Sequence, residues 1–313
     1  MKINALVILF LCFGFSGRSQ VIHNDSINSA IHVNPLDYTE SHSQRNSLVW
    51  KMYKEGSNDT SFVVGTIHLP LKKAFSAVDT VSGLLKVVDM AYFELEYDPI
   101  AFASQSLFFL AKHDSEKVST VLSVEEYQLF QDRSKELLGE FSSVVEMLKP
   151  IGVLSMFAQA LIPSDTTNAM DVLFQLEAKK NGVKVGGLET IEEQLEVIKK
   201  LTIAEQKDEL VDLLTNFETH RLQFDTLVNT YLNQDLATLK KLTNQSFSEE
   251  TQGFKDELLT KRNHKMADKI VRYSNGNRCL FAVGAAHLVG EDGLLKLLEL
   301  KGYVLEPIFS SRL

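Results

Sequence analysis

The chain has 313 residues, a formal net charge of −9 and a hydrophobic fraction of 44%. That length suits one large domain or two small ones with a sizeable core. No basic stripe offsets the acidic balance, which argues against nucleic acid and against an anionic membrane surface as partners.

Met1–Gln20 opens with Lys2, runs apolar from Ala5 to Phe15, and closes on small and polar residues. This is the plan of a secretory signal peptide, too short for a membrane span of full length, with an uncleaved anchor as the alternative. Cys12 lies inside the apolar run, so cleavage leaves Cys279 as the single cysteine and excludes an internal disulfide. Cys279 reads as a buried strand residue. No later apolar run is long enough to cross a bilayer. The expectation is an exported protein, periplasmic or extracellular, with no stable membrane insertion after signal cleavage. Val21–Asn46 is polar and reads as a flexible lead-in, with His23, His32 and His42 incidental.

Ser47–Tyr53 and Ser61–Ile67 predict two strands joined by the turn-forming KEGSNDT segment, a β-hairpin. Phe75–Val88 carries apolar residues at helical spacing. Met90–Leu95 predicts a strand that ends in Glu94 and Glu96. From Pro99 to Gly182 the pattern is helical, broken near Pro150 and Pro163, with a capping box at Ser123 and Glu126 and a stop at Asn181-Gly182. A short strand follows at Val183–Gly186. Capping boxes at Thr190/Glu193 and Thr202/Glu205 then open further helices that extend to Tyr273. The chain closes with a strand at Leu280–Val283, a helix at Glu291–Leu300 and a strand at Tyr303–Ile308. Strands at both ends and helices between them predict an α/β (α+β) domain over 47–313. Its central, mainly parallel sheet is built from the N- and C-terminal segments and carries a large helical insertion.

One local pattern occurs twice. Phe62–Pro70 reads FVVGTIHLP and Phe281–Gly290 reads FAVGAAHLVG. Each is an apolar strand, a glycine, and a histidine three residues further on: Gly65 with His68, and Gly284 with His287. Open α/β sheets place their sites just past strand ends, so the repeat predicts two half-sites on one cleft. His113, His220 and His264 lie on polar helical stretches and have no such context. Glu94 emerges from an apolar strand and needs a partner there. In an extended strand Glu96 would share its face. Two histidines and a carboxylate form a common minimal set for a catalytic divalent metal, whose bound water attacks carbonyls at neutral pH. Arg262 and Asn263 open a basic helical stretch in which Lys261 and Lys265 read as solvated. Arg262 could clamp a carboxylate or stabilise an oxyanion, with Asn263 donating to the same oxygen. A phosphate-cradling glycine loop and a Gly-x-Ser-x-Gly elbow are both absent from the sequence.

Five segments, taken together and in order, resemble the TraB/GumN family, which includes the Tiki proteases of animals. They are WKMYKEGSNDTSFVVGTIHLP, the Glu94 strand, NGVKVGGLETIEEQ, Arg262-Asn263 with Met266, and FAVGAAHLVGEDGLLKLLELKGY. The resemblance covers roughly Ser47 to Leu313. It implies a fold related to erythromycin esterases and the haem-binding ChaN proteins. It also implies a hydrolase-like site of His68, Glu94 and His287, with Arg262 and Asn263 as supporting polar groups. Tiki proteins are described as divalent-metal-dependent proteases. The resemblance thus implies manganese, cobalt or zinc as cofactor and a peptide or protein substrate. At the position of Glu96 the family often has an aspartate.

Three readings compete. The first is an exported metal-dependent hydrolase, a peptidase, with His68, Glu94 and His287 holding the metal and Arg262 or Asn263 on the oxyanion. The second is a non-enzymatic protein that holds haem, a metal or a peptide in the same cleft. The third makes the repeat structural, each histidine capping a strand end.

Overall fold

The computed structural model describes residues 46–57, 59–69, 78–98, 100, 108–139, 142–161 and 168–309. The expected signal peptide, nearly all of the lead-in, the first residues of the Phe75–Val88 helix and the break near Pro163 lie outside these residues.

The N-terminal strands β1 (Val49–Tyr53) and β2 (Thr60–Thr66) pair antiparallel, with Val49 opposite Val64 and Tyr53 opposite Thr60. Gly56 turns the hairpin at a φ of 77°, a backbone region that disfavours side chains with a Cβ. Helix α1 (Val78–Leu85) and β3 (Met90–Phe93) follow. The insertion contains α2 (Val124–Leu138), α3 (Pro150–Ala160) and α4 (Met170–Lys180). Pro150 occupies the first turn of α3, where its missing N–H costs nothing. After β4 (Lys184–Gly187) come α5 (Ile191–Ile198), α6 (Ile203–Thr215), α7 (Phe217–Leu232) and α8 (Leu236–Gln245). The long helix α9 (Lys261–Tyr273), β5 (Cys279–Gly284), α10 (Leu294–Leu300) and β6 (Val304–Pro307) complete the order. All three capping boxes form as their spacing predicts: the side chains of Ser123, Thr190 and Thr202 each accept the backbone N–H of the glutamate three residues on.

The six strands make one mixed sheet in the order β4-β3-β5-β2-β1-β6. β4, β3, β5 and β2 run parallel, β1 joins β2 antiparallel, and β6 joins β1 antiparallel at the edge. The first and last strands meet directly, because β6 pairs with β1 from Trp50 opposite Pro307 to Tyr53 opposite Val304. β4, from the middle of the sequence, forms the opposite edge. Every residue of β5 is buried, so both faces of the sheet are covered there. An unbroken apolar run, CLFAVG, instead of an alternating one, is what such a strand requires. Cys279 is part of it, and burial pushes its thiol up to about 11.

β2 and β5 bring the sequence repeat together. They pair in parallel with Gly65 opposite Val283 and Thr66 opposite Gly284. The two Gly-x-x-His units therefore leave the sheet at the same end of neighbouring strands. β3 pairs with the other side of β5, Phe93 opposite Ala282, and delivers Glu94 to that end too. Among the described residues, no helix is long and apolar enough to cross a membrane.

Candidate functional site

The chain leaves β3 at Phe93 and bends at Glu94 and Leu95. Strand alternation stops at that bend, which corrects the expectation of a shared face for Glu94 and Glu96. Glu94 is buried, while Glu96 is exposed. Two backbone bonds continue the ladder past the strand ends, Leu188 N–H to Phe93 O and Glu189 N–H to Glu94 O. Gln175 holds the loop from the other side, donating to Leu95 O and accepting from Tyr97 N–H. Glu94 and Glu189 are thereby fixed side by side.

Around Glu94 the predicted residues come together. Oε1 accepts the Gly284 N–H at 2.5 Å and lies 3.8 Å from His68 Nε2 and 3.7 Å from His287 Nε2. Oε2 accepts from Arg262 Nη2 at 2.8 Å. A Cβ at position 284 would stand 3.1 Å from Glu94 Oε1 and 3.4 Å from His68 Nε2. Glycine at that point forms a floor that leaves the polar centre open.

Each histidine is held by its other nitrogen. His68 Nδ1–H donates to Asp171 Oδ2 at 2.7 Å, and His287 Nδ1–H donates to Asn263 Oδ1 at 2.6 Å. The amide orientation follows from Asn263 Nδ2, which donates to Asp292 O. In the neutral tautomer this leaves a lone pair on Nε2, the orientation common to metal-ligating histidines. The fully buried His287 Nε2 has no hydrogen-bond partner. An orphaned buried acceptor of this kind calls for an explanation.

Arg262 and Asn263 lie within a continuous helix instead of at its start, since a π-helical turn at Asp256–Thr260 leads into α9. Both are buried, along with Met266, Ala267 and Ile270, while Lys261 and Lys265 face solvent as expected. Of the two roles the sequence offers Arg262, a carboxylate clamp or an oxyanion donor, the hydrogen bonds match the clamp, while Asn263 bonds His287 and Asp292 O instead of the same oxygen. Arg262 Nε and Nη2 grip the Glu189 carboxylate at 2.6–3.1 Å, Nη2 also bonds Glu94, and Nη1 bonds Leu258 O. Gln194 bridges the same two carboxylates at 3.4 and 3.3 Å.

The charges are distributed unequally. Burial pushes His68 down, but the carboxylates of Asp171 and Glu94 outweigh it and raise the pKa to about 10. Burial pushes His287 down to about 3, with Arg262 and His68 reinforcing the shift and Glu94 opposing it. Burial raises Glu94, yet His287, His68 and Arg262 hold it well below the usual carboxylate range. Without a cation, the centre is therefore a protonated His68, an ionised Glu94 and a neutral His287.

These shifts predict how the stability of the EDTA-treated protein depends on pH. Between about 6.5 and about 10, folded His68 keeps a proton that unfolded His68 releases, so its contribution falls as pH rises. Between about 3 and 6.5, unfolded His287 binds a proton that the folded form rejects, so stability falls as pH drops. The pair's contribution peaks near pH 6.5. Chemical denaturation from about pH 4 to about pH 10 should show an alkaline decline that is reduced in His68→Gln. An unchanged decline in that variant would contradict the assignment.

The two histidine–carboxylate separations are compatible with a bridging divalent cation. Both nitrogen–oxygen separations lie within the about 4.2 Å that two metal–ligand bonds of about 2.1 Å can bridge. Among the described residues, no group of three or more His, Cys, Asp or Glu side chains is placed to hold a metal ion as it stands. His68, Glu94 and His287 are neighbours around one oxygen, and metal binding would require them to tighten.

Asp171 and Glu189 were not singled out in the sequence. Asp171 is a lone carboxylate in the apolar stretch MDVLF of α4, and Glu189 lies two residues past the end of a short strand. Those contexts were the available signals. Among the described residues, the remaining histidines stay outside the centre. His220 is buried against Asp212 at 2.8 Å, and His113 and His264 are exposed.

A parallel-strand α/β sheet with two histidines and a buried glutamate converging at its strand ends is a scaffold suited to metal or acid–base chemistry. Residues 48–307 match the TraB/PrgY/gumN family, and the chain belongs to that family. Among curated proteins it is 22% identical over 324 residues to "Metalloprotease TIKI2" of Danio rerio, covering 86% of this chain and 62% of the relative. It is 23% identical over 318 residues to "Metalloprotease TIKI1" of Danio rerio, covering 84% and 63%. It is 24% identical over 191 residues to "Metalloprotease TIKI homolog" of Nematostella vectensis, covering 51% and 40%. The chain thus spans less than two thirds of the length of these relatives. No solved structure matches it.

Proposed function

We propose that the chain is an exported, divalent-metal-dependent hydrolase of peptide bonds, with 1–20 as its signal peptide, 21–46 as a lead-in and 47–313 as the hydrolase domain. The observation that carries the reading is the unpartnered, fully buried Nε2 of His287 beside the ionised Glu94 and the Nε2 of His68. The relatives' printed name, metalloprotease, supports the reaction class. The pattern of Met1–Gln20 supports export to the periplasm or beyond.

In this reading His68, Glu94 and His287 hold manganese, cobalt or zinc. A cation bound there supplies a Lewis acid that acidifies water and polarises the substrate carbonyl. The other side chains prepare the donors. Arg262 bonds Glu94 Oε2 and fixes it, which leaves Oε1 facing the imidazoles. Asn263 takes the Nδ1–H of His287 and thereby commits its Nε2 lone pair to the centre. Gly284 donates to Oε1 from the floor and keeps the space above it clear. An ionised carboxylate within 3.8 Å of both imidazoles favours a small divalent cation over a porphyrin.

The test is digestion of a mixed peptide library by the purified chain with EDTA and with each of the three metals. Cleavage that requires metal and disappears in both His68→Ala and His287→Ala is expected. Full cleavage by both variants would overturn the proposal.

A further inference from the structure

We infer that Asp171 is a positioning residue for this centre, holding His68 by Nδ1 so that Nε2 alone is presented beside Glu94. The inference rests on the reading above for its consequence, but its structural content stands on geometry.

Both oxygens of the Asp171 carboxylate are in use. Oδ2 accepts from His68 Nδ1 at 2.7 Å, and Oδ1 accepts the Thr66 hydroxyl at 2.6 Å. Two bonds from two different residues fix the rotation of the carboxylate plane, and the plane in turn fixes the imidazole. Thr66 is the last residue of β2, nearly fully buried, and belongs to the same Gly-Thr-Ile-His unit as His68. The backbone there is tied down as well, because Tyr231 donates its hydroxyl to Gly65 O at 3.0 Å. Asp171 itself stands in the first turn of α4, between the fully buried Met170 and the buried Val172 and Phe174.

A buried carboxylate in an apolar helix turn is costly unless paired. Among the described residues, its ion pair is with His68 and with no lysine or arginine. A carboxylate needed only to dock α4 on the sheet would be replaceable by an apolar side chain. One aimed at an imidazole Nδ1 has a use that packing does not supply: it selects the tautomer and raises the basicity of the ligating nitrogen. The other half-site uses the same device with a different group, Asn263 Oδ1 on His287 Nδ1. Two histidines from two half-sites, each held at Nδ1 by a side-chain oxygen from a separate helix, point to presentation of Nε2 as the shared purpose.

The test compares the purified wild-type chain with Asp171→Ala, Asp171→Asn and Thr66→Val by two measurements. The first is the nitrogen-15 imidazole spectrum of the metal-free protein. The second is cobalt affinity by competition with a chromogenic chelator. Wild type is expected to show a slowly exchanging His68 Nδ1–H proton. Asp171→Ala should lose that proton and bind cobalt about 10–100-fold more weakly, the scale typical of outer-shell partners. Asp171→Asn, which can still accept from Nδ1, should keep the proton and lose less affinity, and it carries the test if the alanine variant does not fold. Thr66→Val, which removes only the tie between strand and helix, should keep the Nδ1–H signal. Retention of both the signal and wild-type cobalt affinity in Asp171→Ala would overturn the inference, as would losses in Thr66→Val equal to those in Asp171→Ala. Loss of the signal in Asp171→Ala, with no cobalt binding even by wild type, would support positioning by Asp171 and sink the metal reading instead.

Discussion

Glu94→Gln is expected to eliminate metal-dependent hydrolysis while leaving a folded protein. The amide has nearly the shape of the carboxylate, and its single oxygen can still accept the Gly284 N–H, while its NH2 group takes the place of the oxygen that Arg262 bonds, so the shape of the site is kept and one charge-assisted bond is lost. What disappears is the negative charge against which a cation binds, at the one oxygen that both histidines approach within 3.8 Å. Loss of an outer-shell partner alone typically costs 10–100-fold in metal affinity, so loss of a ligand charge should exceed about 100-fold. Arg262 remains paired with Glu189. Stability should therefore change by no more than about 1–3 kcal/mol, the range for one charge-assisted hydrogen bond. Cobalt titration and urea denaturation on the same sample would check both halves. Wild-type cobalt affinity in Glu94→Gln would remove Glu94 from the site.

Arg262→Met should have the larger effect on the fold. Its guanidinium lies between two carboxylates whose side chains are each only 4% exposed, and it supplies both with charge-assisted bonds. Removing it leaves two buried negative charges in contact with Gln194 alone as a shared donor. Breaking a buried pair by deleting one partner costs about 3–5 kcal/mol. Against a total stability of about 5–15 kcal/mol, that is enough to deplete the folded protein. The cause can be isolated. The triple variant R262M/E94Q/E189Q removes the stranded charges too and should recover much of the loss, because the three groups act as one unit. Arg262→Lys should fall between, since an ammonium cannot match the fork that grips Glu189. Denaturant midpoints of the three proteins provide the comparison, and equal destabilisation in the single and triple variants would contradict this account.

Much of this centre was legible in the sequence for physical reasons that can be named. The Gly-x-x-His units followed runs too uniformly apolar to be anything but buried strands, and parallel pairing of β2 with β5 put both histidines at one sheet end. Glu94 stood out because a carboxylate at the end of such a strand needs a partner. The capping boxes set the starts of α2, α5 and α6 through local hydrogen bonds alone, so no tertiary information was needed. Other features depend on long-range placement. Asp171 lies 103 residues from the histidine it holds, and Glu189 lies 73 residues from the arginine that grips it. Local context sets each carboxylate apart but does not say which residue it meets. The direction of Arg262 was equally hidden. Only the position of the β3 and β4 ends shows that it reaches Glu94 and Glu189. Strand alternation carried past Phe93 puts Glu96 on the face of Glu94, whereas the bend at Glu94 and Leu95 leaves Glu96 exposed.

The central claim is a cation site formed by His68, Glu94 and His287, and thermal unfolding tests it most directly. The purified chain would be stripped with EDTA, then measured alone and with manganese, cobalt or zinc. The account predicts a saturable rise in melting temperature with at least one of these ions, matched by one bound equivalent and absent in His287→Ala. An ion-independent melting temperature with no bound metal, or an equal rise in wild type and His287→Ala, would contradict it.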